Sequence, residues 1–456
     1  MNKIFSFIFL LTIANQFSQD PSVHIPWELN GANERIDQHR KGKAVLKFIL
    51  NKKINKNTKA DINVNLTNHE FKFGVSLTQA RRFYGQDYYK NYLDRVSEAF
   101  NYVTIGMYWA LTDERNRDKN VENYYEDVLG WAKKNNIKTK GHPLMWHEAM
   151  PNWVRNFENM EELEVLMKNH IRRLIKTYPQ INDWDVYNEP IGPFKPHIPE
   201  NSISKWIKYK GGINPAMIEI YNYVNSVDST KNYSNNHYHA KDPEFFKINK
   251  FFIENNLKYQ AIGMQAHMQS NDNVMSEKAL WKQIEDYAVL GKNIQFTEIT
   301  VTSSKRFKNW KDHQVFLKER DEVLAKGGEL NLPSLPEYEK YQSDYLKDFY
   351  TLAFSHPSVS SVTFWNLTDQ NAWRGHAGGL TFGDLKPKIA FNTLKNLIKV
   401  KWNTKVSSEF KLNDNFNFNG FYGKYEGNIT IKNKKYSFSF NHNSKNSEKP
   451  IKIYLN

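Results

Sequence analysis

The chain has 456 residues, of which 40% are hydrophobic and 14% aromatic, enough for one large domain with attachments or for two ordinary domains. The formal net charge is +14. The lysines are scattered and mixed with asparagine, so a nucleic-acid binder, which needs a clustered basic face, is the least supported class. The chain has no cysteine, which excludes disulfides and thiolate zinc sites.

The first residues have the pattern of a secretory signal. Met1-Asn2-Lys3 carries one positive charge, and Ile4 to Ala14 is almost entirely apolar. This run is too short to span a bilayer, which needs about 20 residues. We therefore expect residues 1–19 to be a signal peptide, cleaved after Ala14 or near Ser18, and the mature protein to be exported.

Two strand-like runs precede the main domain. Ala44–Leu50 and Ala60–Leu66 are separated by a stretch rich in asparagine and lysine, which has the composition of a turn. A short basic segment comes before them. The sequence therefore predicts an N-terminal arm and a β-hairpin over residues 20–68.

Short strand-like runs then alternate with longer helical segments. The eight predicted strands are Phe71–Leu77, Tyr102–Trp109, Lys138–Trp146, Asp183–Glu189, Tyr233–His239, Ala261–Met268, Ile294–Val301 and Val359–Leu367. Amphipathic segments lie between them, including Val121–Asn135, Met160–Thr177, Ile218–Val227, Lys278–Leu290 and Glu337–Ser355. This alternation over residues 69–400 predicts an α/β fold, a (β/α)8 TIM barrel.

The composition changes beyond Trp402 to asparagine, phenylalanine, tyrosine and lysine. Asn428–Lys432 and Tyr436–Phe440 alternate between apolar and polar residues, which predicts a small C-terminal β unit over residues 401–456 that packs on the barrel. Four aromatic residues form either its core or a platform for glycan: Phe416, Phe418, Phe421 and Tyr422.

Two of the predicted strands end with a glutamate. Glu189 closes the fourth strand, and Glu298 lies near the end of the seventh. Because a barrel enzyme presents its catalytic groups at the carboxyl ends of its strands, we expect both carboxylates to face one pocket. Such a pair is the minimum equipment for breaking a glycosidic bond. Either glutamate taken alone is equally explained as an ordinary surface acid.

Further motifs fall at the ends of predicted strands. They are Gly141–His147, Trp184–Pro190, Gln265–His267, Thr297–Ile299 and Phe364–Asp369, followed by Trp373-Arg374, Gly378-Gly379-Leu380 and Lys386-Pro387-Lys388. In this order they resemble glycoside hydrolase family 10, the family of retaining endo-β-1,4-xylanases, over about residues 30–400.

The resemblance implies a role for each site residue. Glu189 is the acid/base, and Glu298 is the nucleophile of a double displacement. Asn188 bonds the sugar 2-hydroxyl, Gln265 bonds near Glu189 and His267 orients Glu298. The remaining residues line the pocket or stack on sugar: His142, Trp146, Trp365 and Trp373.

Two departures from the family pattern fall on substrate contacts. Many members carry a Glu-Asn pair and a Lys at the end of the second strand, whereas Thr104–Ala110 contains none of them. The Gln that usually follows the Trp-His of the third strand is also missing, since Trp146-His147 is followed by Glu148-Ala149. The chemistry of a glycosidase is thus better supported than the identity of its glycan.

We expect an exported, monomeric enzyme that cleaves internal β-1,4-xylosidic bonds. Its partner is a plant-type polysaccharide, and it needs no metal, no organic cofactor, no nucleic acid and no membrane. One alternative is the same mechanism on a decorated xylan or another β-1,4-linked glycan. The other is an inactive carbohydrate-binding barrel, against which the intact pair of glutamates and their polar neighbours argue.

Overall fold

The computed structural model describes residues 25–50, 58–195 and 198–455. The predicted signal peptide lies outside them. Among the described residues no helix combines the length and apolar character that crossing a membrane requires.

The helices are α1 (Leu29–Arg40), α2 (Asp87–Ser97), α3 (Lys119–Lys134), α4 (Asn152–Arg155), α5 (Met160–Thr177), α6 (Ser202–Tyr209), α7 (Ile213–Val227), α8 (Pro243–Glu254), α9 (Glu277–Ala288), α10 (Trp310–Ala325), α11 (Pro336–Ser355) and α12 (Ile389–Asn396). The strands before the barrel and in its first half are β1 (Lys41–Leu50), β2 (Lys59–His69), β3 (Lys72–Ser76), β4 (Tyr102–Gly106), β5 (Lys138–His142), β6 (Met145–Trp146), β7 (Asp183–Asn188) and β8 (Asn232–His237). The later strands are β9 (Ala261–Met268), β10 (Asn293–Val301), β11 (Val359–Phe364), β12 (Asn366–Thr368), β13 (Gly379–Thr381), β14 (Lys405–Lys411), β15 (Phe416–Phe421), β16 (Gly423–Ile431), β17 (Lys434–His442) and β18 (Pro450–Leu455).

Eight parallel strands close into a barrel, which confirms the predicted (β/α)8 fold. The order around the barrel is β3, β4, β5, β7, β8, β9, β10 and β11, and β11 pairs with β3 to close it. The short strand β6 lies beside β7. Every predicted barrel strand is present, with bounds that differ by a few residues.

The strand β7 shows why the barrel interior is polar. Successive residues of a strand point to opposite faces. Trp184 and Val186 are fully buried on one face. Asp183 and Asp185 point the other way, into the barrel, where they contact Lys72 of β3 and Lys140 of β5.

The helix α5 is typical of those that cover the barrel. The side chain of Asn159 accepts a hydrogen bond from the Glu162 backbone N–H and caps its first turn. Its buried residues recur three or four positions apart and form one apolar stripe: Leu163, Met167, Ile171 and Leu174. This pattern is what allowed the helix to be predicted.

The strands from the two termini fold together, which corrects the predicted N-terminal hairpin. β1 pairs with β15 and β18, whereas β2 pairs with β14 and β16. β1 and β2 are both strands, as predicted, but they lie in different sheets, so the hairpin does not form. The segment before them, predicted as an arm, contains the helix α1.

The two small sheets share an aromatic core, which is the physical reason for this pairing. Phe48 of β1 packs at 5.6 Å from Phe410 and 5.3 Å from Phe438, both on strands of the other sheet. Partners from the C-terminal segment therefore bury the apolar face of β1, which a two-stranded hairpin would leave largely exposed. Phe416, Phe418 and Phe421 are also buried, so these three are core residues rather than a glycan platform.

Two arginines of the N-terminal helix attach it to the barrel. Arg40 donates hydrogen bonds to the backbone carbonyls of Phe354, His356 and Val359, at and beyond the end of α11. Arg35 donates to Ser355 Oγ at 3.0 Å. Both guanidinium groups thus satisfy acceptors at a helix C-terminus, where a positive charge is favourable.

Candidate active site

The two glutamates lie at the carboxyl end of the barrel, each at an irregularity of the backbone. Glu189 follows β7 directly and has a φ of 60°, in the left-handed region that non-glycine residues rarely adopt. Near Glu298 the pairing of β10 with both neighbouring strands shifts register between Phe296 and Ile299. Such a bulge re-aims a side chain, here towards the barrel mouth.

The surroundings of Glu189 raise its pKa overall, although two N–H groups donate hydrogen bonds to its carboxylate oxygens. Trp146 Nε1 donates to Oε2 at 3.2 Å, and Gln265 Nε2 donates to Oε1 at 2.9 Å. Burial, and after it the charge of Glu298, raises the pKa of Glu189 from 4.5 to about 7, against the opposing effect of the Gln265 hydrogen bond. A large fraction of this carboxyl therefore carries a proton at neutral pH.

Glu298 is surrounded by nitrogen groups and is only 4% exposed. Asn236 Nδ2 donates to its Oε1 at 2.9 Å, and His267 Nε2 lies 3.3 Å from its Oε2. His142 Nε2 lies 3.9 Å from Oε1. The two glutamates thus differ sharply in what faces them.

His142 connects Glu298 to charges inside the barrel. Its Nδ1 lies 2.9 Å from Asp185 Oδ2, and the other Asp185 oxygen lies 2.6 Å from Lys140 Nζ. Burial lowers the pKa of His142, but the Asp185 hydrogen bond and the charges of Glu298 and Asp185 outweigh it, so the pKa is raised overall. A positive charge on His142 is therefore favoured beside Glu298.

His267 is instead held neutral. Burial lowers its pKa more than the nearby Glu298 raises it. Its Nδ1 lies 2.9 Å from Thr300 Oγ1. In the tautomer that satisfies both contacts, Nε2–H donates to Glu298 and Nδ1 accepts from the threonine hydroxyl.

Tryptophans enclose the space around these groups. Trp365 packs edge-on against His142 at 5.7 Å and His267 at 6.1 Å between ring centroids. Trp373 packs against His267 at 4.4 Å. All nine predicted site residues thus meet at one end of the barrel, while their contacts with sugar stay predictions.

The sequence pattern described as glycosyl hydrolase family 10 matches residues 63–397, well over half of the chain. The chain belongs to this family. The predicted resemblance and the predicted class of enzyme, a glycoside hydrolase, are therefore confirmed.

Individual relatives of this family 10 chain differ in name and length. It is 26% identical over 443 residues to the anti-sigma-I factor RsgI6 of Acetivibrio thermocellus. This match covers 93% of the chain but only 49% of the relative. It is 23% identical over 367 residues to endo-1,4-beta-xylanase B of Thermotoga neapolitana, covering 75% of the chain and 93% of the relative. The chain thus spans about half the length of the first relative and nearly all of the second.

Among solved structures, xylanase 10B from Thermotoga petrophila RKU-1 in complex with xylobiose superposes with a TM-score of 0.57 at 20% identity. The match covers 73% of this chain and 95% of that one. At this identity the likeness supports the fold alone, a (β/α)8 barrel.

Sequence reasoning missed Asn236 in the family 10 site. Its Nδ2 lies 2.8 Å from Asn188 Oδ1 as well as 2.9 Å from Glu298 Oε1, and its Oδ1 accepts from Thr297 Oγ1 at 2.6 Å. It therefore fixes the orientation of two predicted site residues at once. The available signal was the polar run Asn235-Asn236-His237 at the end of the fifth barrel strand.

Tyr108 was also missed, although it lies in the stretch that departs from the family pattern. Its ring is 5.8 Å from that of His142 and 5.9 Å from that of Trp146. Burial, followed by the charges of Glu298 and Glu189, raises the pKa of its hydroxyl. The segment after β4 thus supplies the pocket with a neutral phenol, in the stretch where the family pattern has a Glu-Asn pair and a Lys.

Proposed function

We propose that this family 10 barrel is a retaining endo-β-1,4-xylanase that acts by double displacement through a covalent glycosyl-enzyme. The observation that supports it best is the unequal environment of two neighbouring carboxyl groups. Glu189 has a pKa of about 7, whereas Glu298 faces Asn236, His267 and His142. One group is thus equipped to give a proton, and the other to attack as a carboxylate.

In the first step, a Glu298 oxygen attacks the anomeric carbon from one face of the sugar. The bond from that carbon to the leaving oxygen breaks, and Glu189 transfers its proton to this oxygen. The leaving chain departs with a hydroxyl group, and the sugar remains as an ester of Glu298. His267 and Asn236 keep the attacking carboxylate in place, because each contacts a different oxygen.

In the second step, Glu189 changes its role. Formation of the ester removes the negative charge of Glu298, which is one cause of the raised pKa of Glu189. Glu189 is then ionised and takes a proton from water as the water oxygen attacks the anomeric carbon. The ester bond breaks, Glu298 leaves as a carboxylate and Glu189 is again protonated. Two inversions give net retention.

Xylan is the substrate best supported by the relatives. Several of them are named endo-1,4-beta-xylanases, and one structural neighbour is a complex with xylobiose. Tyr108 and the altered third-strand motif keep a decorated xylan or another β-1,4-linked glycan as the alternative substrate of the same mechanism.

A second candidate function is glycan binding without turnover. The relative that matches over 93% of the chain is named an anti-sigma-I factor rather than a hydrolase. The two paired glutamates in unequal surroundings favour catalysis, because binding alone requires no nucleophile.

The deciding experiment measures sugar release from glucuronoxylan, arabinoxylan, mixed-linkage β-glucan, carboxymethyl cellulose and glucomannan, with Glu298→Ala beside the wild type. Release from xylans alone, lost in the variant, is the expected result. Release from another glycan, also lost in the variant, would identify a different substrate for the same mechanism. Binding of any of these glycans with no release by the wild type would favour the second candidate.

We also propose that the protein is exported, because of the signal-like pattern of residues 1–19. The test is expression of the full chain in a secreting host, with N-terminal sequencing of the protein in the medium. A mature end between residues 15 and 20 is expected, and retention of Met1 on intracellular protein would contradict it.

A further inference from the structure

Arg374 is a charged group at the rim of the site that the proposed mechanism does not use. It follows Trp373 in the segment between β12 and β13 and has a φ of 62°, again in the left-handed region. Its guanidinium carbon lies 4.0 Å from the ring centroid of Trp373 and 5.4 Å from that of Trp310. The guanidinium is therefore held beside two indoles, which limits its motion.

Trp310 is unusual for a residue of its size. It begins α10 on the catalytic side of the barrel, and 41% of it is exposed. Its backbone N–H donates to Asp272 Oδ2 at 2.9 Å, and its ring meets that of His313 edge-on, with 5.0 Å between the ring centroids. An indole that is held in place but open to solvent offers a surface on which a sugar ring can stack.

The charge of Arg374 is poorly compensated within the described part of the chain. No carboxylate there forms a salt bridge with it, and its one side-chain hydrogen bond, from Nη1 to Gln269 Oε1, is long at 3.5 Å. Burial lowers its pKa to about 10, while the charges of Glu189 and Glu148 act in the opposite direction. At neutral pH the group is therefore positive and within electrostatic reach of the acid/base.

Arginines elsewhere in this protein show what a purely structural role looks like. Arg40 makes three hydrogen bonds of 2.5–2.7 Å to backbone carbonyls. Arg374, by contrast, makes one long side-chain hydrogen bond within the described ranges, so most of its N–H donors are available to a ligand. A partly desolvated guanidinium that lacks acceptors is best satisfied by a carboxylate, which matches its fork of parallel N–H groups.

We propose that Arg374, between Trp373 and Trp310, binds the carboxylate of a uronic acid side group on the glycan main chain. This deepens the proposed function and rests on it: the enzyme prefers acidic, branched xylan to the unbranched chain. The carboxylate meets the guanidinium, and the sugar ring that bears it lies against the exposed indole of Trp310.

The test compares two oligosaccharides with the same xylose backbone, one unbranched and one carrying a single glucuronic acid. We expect Arg374→Gln to reduce the ratio of kcat/KM for the acidic over the neutral substrate by about 10-fold, the effect of one charge-assisted hydrogen-bonded pair. Most of the change should appear in KM. Arg374→Lys, which keeps the charge but not the fork, should lose part of the ratio.

Arg306 provides a matched control. Its guanidinium also lies over an aromatic ring, that of Tyr341 at 3.9 Å, and it bonds Asn271 at 3.1 Å. Arg306→Gln should leave the ratio unchanged. An unchanged ratio in Arg374→Gln, or an equal fall in both arginine variants, would overturn the proposal and leave Arg374 as part of the wall of the site.

A binding measurement separates this inference from the proposed function. The affinities of Glu298→Gln and of Glu298→Gln/Arg374→Gln for both oligosaccharides are measured by calorimetry, without turnover. If the wild type hydrolyses neither sugar, the proposed function fails, yet a selective loss of acidic-sugar binding in the double variant still supports the Arg374 site. Equal affinities in the two variants would reject the site even in an active enzyme.

Discussion

Asp185 on β7 and Glu189 just after it are buried carboxyl groups whose surroundings shift their pKa values in opposite directions. Inside the barrel, Asp185 pairs with Lys140 and His142; although burial raises its pKa, these partners lower it to about 2. Four residues later, at the barrel mouth, Glu189 meets amide and indole donors but no lysine, and its pKa rises to about 7. Burial is common to both sites, so the difference comes from the partner charge.

This contrast separates a structural acid from a catalytic one. A buried carboxyl with a cation remains ionised through the whole physiological range and serves as a fixed charge. A buried carboxyl beside another carboxyl exchanges its proton near neutral pH, which is what an acid/base group must do. The ion pair of Lys140 and Asp185 thus carries fixed charges beneath a site that titrates.

The largest expected effect comes from removing the Glu298 carboxylate, whose charge helps to raise the pKa of Glu189. Glu298→Ala should lower kcat by at least about 10⁴-fold, since the nucleophile has no substitute. Azide added to this variant should restore part of the turnover and give a product of inverted configuration, because only one displacement then occurs. NMR of the product tests this. A product of retained configuration would contradict the assignment of Glu298.

The next largest effect is expected inside the barrel, at the ion pair of Lys140 and Asp185. Lys140→Met leaves Asp185 buried beside a single histidine, and we expect the free energy of unfolding to fall by about 3–5 kcal/mol, measured by urea denaturation at pH 7.

Glu189→Gln, which changes the other buried carboxyl group, is the control for this loss. The pKa of Glu189 rises from 4.5 in the unfolded chain to about 7, so its ionisation costs stability progressively from pH 4.5 up through pH 7. Above pH 8 the glutamine variant should be more stable than the wild type, by an amount on the order of 3 kcal/mol at most. A loss of stability in Glu189→Gln as large as in Lys140→Met would remove the distinction between the two regions.

A smaller effect is expected from Asn236, which holds Glu298 without carrying charge. Asn236→Ala should lower kcat/KM by about 10²-fold, because it frees one Glu298 oxygen and the Asn188 side chain together. Thermal unfolding of the variant is the control. A loss of under threefold, with the melting temperature unchanged, would mean that His267 and His142 suffice to position Glu298.

The smallest expected effect is a change in the pKa of Glu189 itself. The hydrogen bond from Gln265 lowers the pKa of Glu189, so Gln265→Leu should raise it and move the basic limb of the kcat/KM profile, expected near pH 7, upward by about half a pH unit. The acidic limb should stay in place. A downward shift of the basic limb would show that another group controls it.

Sequence patterns predicted the barrel well because its strands and helices carry local signals. Met160–Thr177 was predicted with the bounds that α5 has, since its apolar stripe and its cap are all encoded nearby. The motifs at the strand ends likewise brought the nine site residues together, because parallel strands of a barrel end at one face.

The errors and omissions concern what local patterns do not encode. β1 and β2 were recognised as strands, but their partners lie more than 300 residues away, and strand periodicity does not specify a partner. An asparagine at a strand end is equally typical of a turn, so the polar run that contains Asn236 did not distinguish a site residue from a turn residue. The bulge near Thr297 and the left-handed backbone of Glu189 depend on neighbouring strands and were likewise beyond the sequence pattern.

The shared sheets of the two termini impose an order on biosynthesis. β2 ends at His69 and its partner β16 begins at Gly423. At about 5–20 residues per second, a ribosome needs roughly 20–70 s to make the intervening chain. During that interval β1 and β2 have unpaired edges, which attract other chains. Pairing of β1 and β2 in a nascent chain therefore waits for strands that are translated more than 300 residues later.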